Sequence, residues 1–202
     1  MGKGNFDIDK YRTTRKEIEQ LLKTNHCNWE TDEGFILDGI LDPIEYSKQK
    51  FKVLFILGEY YDHEKDKMID IEEQPKNDFW RVGLQRFKTA KAIPFLLRYI
   101  YIYEKDVPKD IDKGFFKASE ENKNELQKHF KKGAVIDIKK VSASKEKNKM
   151  DEKEILKAAE KDRDILIKQI ESISPDLIVI CSVIVRKAIL KEGIISLKKN
   201  GN

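Results

Sequence analysis

Apolar positions along the chain follow two patterns, one with helical period and one in unbroken runs. Residues 6 to 24 alternate basic and acidic side chains, with Tyr11, Ile18, Leu21 and Leu22 on one helical face and Asp9 placed to cap it. A short segment, Gly34 to Leu41, follows, and Asp42-Pro43 starts a helix or turn through Lys50. Phe51-Lys52-Val53-Leu54-Phe55-Ile56-Leu57 is the first strong strand, and its continuous apolar run implies burial on both faces of a parallel sheet. It ends at Gly58-Glu59-Tyr60-Tyr61-Asp62-His63-Glu64. Ligands of open α/β sheets bind just past the carboxyl ends of such strands, so this loop is the first candidate site.

Residues 78 to 103 predict aromatic-rich helix, divided at Pro94, and a short helix is expected from Ser119 to Phe130. Gly133 to Val141 reads as a second strand, followed by a polar, turn-rich stretch from Ser142 to Lys149. Asp151 opens an amphipathic helix with Ile155, Ala159, Asp162, Leu166, Ile170 and Ile173 at helical spacing, and Ser174-Pro175-Asp176 ends it. Leu177 to Cys181 is the third strand, and Ile184 to Leu190 begins another helix. Strand, helix and strand at this spacing make a βαβ unit, so the fold class is α/β.

Composition narrows the picture modestly. The 202 residues fit one domain, 40% hydrophobic content suffices for a core, and 38% charged residues imply an ionic surface. Ten glycines and five prolines exclude collagen-like and low-complexity classes, and 19 aromatic residues argue against disorder of the whole chain. No apolar run approaches the roughly 18 to 20 residues of a membrane span. The N-terminus has no apolar stretch like a signal peptide, and Phe6 stands where a myristoylation signal wants Ser or Thr. Cys27 and Cys181 supply neither a disulfide framework nor metal-ligand spacing, so the expectation is a cytoplasmic protein without metal. No P-loop, Gly-x-Gly-x-x-Gly or Gly-x-Ser-x-Gly motif points to a cofactor or an elbow nucleophile. A net charge of +4 permits a nucleic-acid partner, although the charges are interspersed.

The stretch from Gly133 to Ser182, with its polar loop, Asp/Lys-rich helix and Ser-Pro-Asp turn into an apolar strand, resembles the uracil-DNA glycosylase superfamily. The similarity is to its divergent, mostly uncharacterised bacterial branch. "KVLFILGEYYDHE" resembles the first strand and motif of that superfamily, and "DFWR" before a helix matches the divergent branch. The resemblance covers most of residues 35 to 192. It implies a three-layer α/β/α sandwich with a central, mainly parallel sheet, in one domain whose first 50 residues pack on the sheet as a helical segment.

It also implies chemistry. A glycosylase extrudes a base into a pocket and breaks the N-glycosidic bond through a cationic sugar. On this resemblance Glu59 positions the water, Tyr60 and Tyr61 stack on the base, and Asp137 stands where the family reads the base with Asn. Lys139, Lys140 and Ser142 would face phosphate or the following loop. The chain departs from the pattern in three places. Tyr60-Tyr61-Asp62 replaces the Pro-Gly of the first motif, Asp137 replaces an amide by an acceptor-only carboxylate, and no histidine follows the third strand. The family's fourth strand and its His-Pro loop are therefore expected to be missing.

Several readings of these residues stand side by side. Glu59 is a functional carboxylate or a solvated loop residue, and the tyrosines stack on a base or cover an edge. Asp137, in an apolar strand, sits at an exposed strand end or pairs with Lys139 or a neighbouring loop, because an unpartnered buried carboxylate costs several kcal/mol. The protein is accordingly a nucleobase glycosylase acting on DNA or a nucleotide, a non-catalytic nucleobase or nucleic-acid binder, or a remnant that binds nothing. A sheet edge left open by a missing strand would invite a homodimer.

Overall fold

The computed structural model describes residues 6–26, 35–59, 69–72, 93, 96, 97, 100, 128–141 and 151–195. Tyr60, Tyr61, the Ser142–Lys149 stretch and most of the helices expected over 78–103 and 119–130 lie outside these residues. Ile93, Leu96, Leu97, Ile100 and 128–130 are helical, as expected there.

The elements run α1 (Ile8–His26), β1 (Ile36–Leu37), β2 (Gly39–Ile40), α2 (Pro43–Ser47), β3 (Val53–Glu59), β4 (Ile69–Asp70), β5 (Ala134–Lys139), α3 (Glu152–Lys161), α4 (Arg163–Ile173), β6 (Leu177–Ile180) and α5 (Val183–Lys191). This is a mixed α/β fold. Its main sheet has the order β2-β5-β3-β6, in which β5, β3 and β6 are parallel and β2 is antiparallel to β5. A second pair, β1 with β4, is parallel.

Alternation along the three parallel strands divides the core into two faces. Leu54, Ile56, Ala134, Ile136 and Ile138 point to one face, where they meet Ile155, Ala159, Leu166, Ile173, Val185, Ala188 and Ile189 of the three C-terminal helices. Val53, Phe55 and Val135 point to the other, against Ile36, Ile71, Ile93, Leu97 and Phe130. Two-sided burial explains why β3 reads as an unbroken apolar run.

Local chemistry sets the ends of the elements. Asp7, not Asp9, caps α1, accepting the Lys10 amide at 3.0 Å. Leu21 lies off the buried face that Tyr11, Ile18 and Leu22 make. Asp42 accepts the Ile44 and Glu45 amides at 3.1 Å ahead of Pro43, a favoured first helical residue. The helix expected over 151–173 is two, broken at Asp162. That carboxylate is buried against His26 of α1, 2.9 and 3.0 Å from Nε2, instead of capping α4. Ser174 closes α4 in the left-handed conformation, with φ 49°. Asp176 then ties β6 to β3, because its carboxylate accepts the Lys52 amide at 2.8 Å while its own amide donates to the Lys52 carbonyl.

The first 50 residues contain β1 and β2 as well as helix. Gly39 has φ +143°, and a Cβ there would lie 2.8 Å from the Tyr11 hydroxyl, which itself accepts the Ile40 amide at 2.9 Å. Gly39→Ala combines backbone strain with a clash in a place that cannot open, so it should lower stability by about 1–3 kcal/mol in urea unfolding. A variant as stable as the wild type would contradict this account of the β1–β2 kink.

Candidate functional site at the carboxyl ends of the parallel strands

Of the three parallel strands, β3 and β5 end level and β6 stops three residues earlier in register. Leu57 is paired with Asp137 and Glu59 with Lys139 across β3 and β5, while Ile56 is paired with Ile180 across β3 and β6. The backbone positions of Glu59 and Asp137, read from the sequence as the two working carboxylates, therefore fall on neighbouring strands at the same end of the sheet. They are offset by two residues along the strand, roughly 7 Å. Past β6, Ser182 caps α5 by accepting the Val185 amide at 3.1 Å, so the first turn of that helix also starts at this end.

Asp137 is not at an exposed strand end. It is 1% exposed, on the opposite side of β5 from Ile136 and Ile138. Its neighbour across β3 at this level is Cys181, a half-buried thiol whose pKa is pushed up to about 11, first by burial and then by the negative charge of Asp137. A thiol so shifted is neutral at physiological pH and is not an activated nucleophile. Because its folded pKa is raised above the ordinary 9.0, the group contributes stability below about pH 9 that is lost as pH rises through about 11.

One of the two lysines does not stand where the sequence put it. Lys140 is fully buried, with Nζ 2.7 and 2.9 Å from the two carboxylate oxygens of Asp38, which is equally buried. This ion pair takes Lys140 out of any role on phosphate. Lys139, which is partly exposed, bonds Glu154 of α3 at 2.9 Å. Ser142, Tyr60 and Tyr61 lie outside the described residues, so the expected stacking and phosphate contacts have no counterpart among them.

Asp38 is the residue that sequence reading missed. Its carboxylate also accepts the Asp137 amide at 2.6 Å and the Gln169 side-chain amide at 2.8 Å. The signal in the sequence was a single charge inside Phe35-Ile36-Leu37-Asp38-Gly39-Ile40-Leu41, which demands a buried cation that short-range pattern cannot locate. The His26–Asp162 pair was hidden for the same reason, its partners being 136 residues apart.

No set of three or more metal-ligating side chains occurs among the described residues, and no helix among them is long and apolar enough to cross a membrane. Comparison with protein-family models, curated proteins and solved structures finds no match.

Proposed function

We propose that this chain recognises a nucleobase at the carboxyl ends of β3, β5 and β6, and that its reaction is base excision by water on DNA or a nucleotide. The observation that carries this reading is the register that sets Glu59 and Asp137 on adjacent parallel strands at one end of the sheet. That is where ligands of open α/β sheets bind. The finer architecture that goes with it is a three-layer α/β/α sandwich of the uracil-DNA glycosylase type, in a cytoplasmic protein.

In this reading Asp137 accepts a hydrogen bond from the base, Tyr60 and Tyr61 stack on it, and Lys139 and Ser142 lie towards the backbone. Glu59 takes a proton from the attacking water. The water oxygen bonds C1′, the C–N bond breaks, and its electron pair leaves with the base, which is protonated by solvent. A carboxylate near the sugar stabilises the cationic transition state. A second reading is binding without catalysis, and the withdrawal of Lys140 into its ion pair, which leaves one cation fewer for a nucleic-acid backbone, favours it.

Release of base from oligonucleotides carrying uracil, hypoxanthine, xanthine and normal bases, in single and double strands, separates the two. Excision that falls about 10²- to 10⁴-fold in Glu59→Gln supports the enzyme. Silence on every substrate, with binding that weakens in Asp137→Asn, supports the binder. Silence with no binding contradicts both.

Among the described residues β6 is one edge of the main sheet, and its Leu177-Ile178-Val179-Ile180 carries no charge or proline and no fully buried residue. Unguarded apolar edges pair with other strands, and we propose a second copy as the partner. Light scattering at micromolar concentration should give twice the chain mass, and a monomeric mass rules the pairing out.

A further inference from the structure

The antiparallel ladder beside β5 is interrupted where the candidate site begins. Gly39 is paired with Val135 and Phe35 with Val141, so four residue steps on one side face six on the other. The chain turns away between them, and the Leu37 carbonyl is taken by the Ile71 amide at 3.1 Å and by Arg15 at 3.2 Å. The Asp137 amide, which faces this gap, would lose its ladder acceptor. A carboxylate fills the place, since Asp38 Oδ2 accepts that amide at 2.6 Å.

A carboxylate at zero exposure needs its charge answered. Lys140 answers it through both oxygens, and Gln169 of α4 adds a further bond to Oδ1. The Gln169 amide orientation follows from this contact, because only its NH₂ can face the carboxylate. A backbone acceptor would have filled the gap without a buried ion pair. The charged substitute holds the β5 amide more tightly, as bonds to ionised acceptors are about twice as strong as neutral ones. Adjacent side chains of a strand point to opposite faces, so this grip comes from the helix-covered face and leaves the Asp137 side chain on the other.

We propose that Asp38, with Lys140 and Gln169 holding it, is a positioning residue that fixes the Asp137 carboxylate at the carboxyl end of β5. Its use in base recognition rests on the function proposed above, but its positioning of Asp137 does not.

Cys181 reports the position of Asp137 without any ligand, because the Asp137 charge adds to the raised pKa of its thiol. The experiment follows the rate of iodoacetamide alkylation of Cys181 at pH 8.5 in a Cys27→Ser background. Each unit by which the thiol pKa falls multiplies the thiolate by about ten, and the rate by less, roughly three-fold, because the thiolate becomes a weaker nucleophile as its pKa falls. Asp137→Asn sets the limit of a lost charge and should react faster than the parent. Asp38→Leu/Lys140→Met removes the acceptor while keeping charge balance, and should move the rate towards that limit. Asp38→Asn/Lys140→Met keeps an acceptor for the Asp137 amide and should retain the parent rate. Parent rates in both double variants, each folded by circular dichroism, overturn the proposal.

Should Asp38→Leu/Lys140→Met fail to fold, the parent protein decides through its Asp137 amide. A downfield proton shift with slow solvent exchange supports the bond, and an ordinary shift with fast exchange overturns it. Affinity for free cytosine and adenine is measured on the same variants. If the parent binds neither, the reading of Asp137 as acceptor for an amino-bearing base fails while the alkylation rates still judge the positioning.

Discussion

One buried carboxylate organises the part of this protein that faces its candidate site. Asp38 lies where the chain leaves one strand pair for another, and three elements converge on it: β5 through the Asp137 amide, the residue after β5 through Lys140, and α4 through Gln169. Each partner supplies a donor and none supplies a competing acceptor. Removing Lys140 alone would leave an uncompensated charge in the core, a change that typically costs about 3–5 kcal/mol. Replacing the pair by apolar groups would cost much less in stability. The pair therefore accounts for placement better than for stability: it holds the β5 backbone at Asp137 and ties α4 to the Asp38 turn.

Placement matters because β5 serves two faces. Ile136 and Ile138 join the core beneath the C-terminal helices, while Asp137 points the other way, level with Leu57 and near Cys181. The ends of β3 and β6 are set separately. Asp176 ties the start of β6 to Lys52, and Ser182 caps the helix that follows it. The result is a pair of parallel strands, β3 and β5, ending level beside a shorter β6, with two carboxylate-bearing positions on neighbouring strands and a thiol kept neutral beside one of them.

Much of this was legible in the sequence, because it depends on short-range pattern. An unbroken apolar run marked β3 as a strand buried on both faces, β5 and β6 were also read as strands, and Ser174-Pro175-Asp176 marked the end of a helix that does end there. Even Asp162 was placed in the buried stripe of its helix, although its break in that helix was not foreseen. What stayed hidden was every feature made by pairing across long separations. The partners Asp38 and Lys140 are 102 residues apart, and a lysine after a strand reads as a surface cation until its counter-charge is found. Two-residue strands such as β1 and β2 carry too few positions to show alternation. Asp137 lay between these cases: the sequence showed that a carboxylate in an apolar strand needed an explanation, and what the structure adds is a hold on its backbone amide by Asp38 from the opposite side of the strand.

The nucleobase site proposed for this protein lies at the carboxyl ends of β3, β5 and β6. Backbone amide spectra of the isotope-labelled protein, recorded as free cytosine, adenine and uracil are added, test it without assuming catalysis. The expected result is a saturable set of shifts centred on Leu57–Glu59, Asp137–Lys139 and Cys181–Val183. Shifts confined to other parts of the chain, or none at millimolar base, would contradict it.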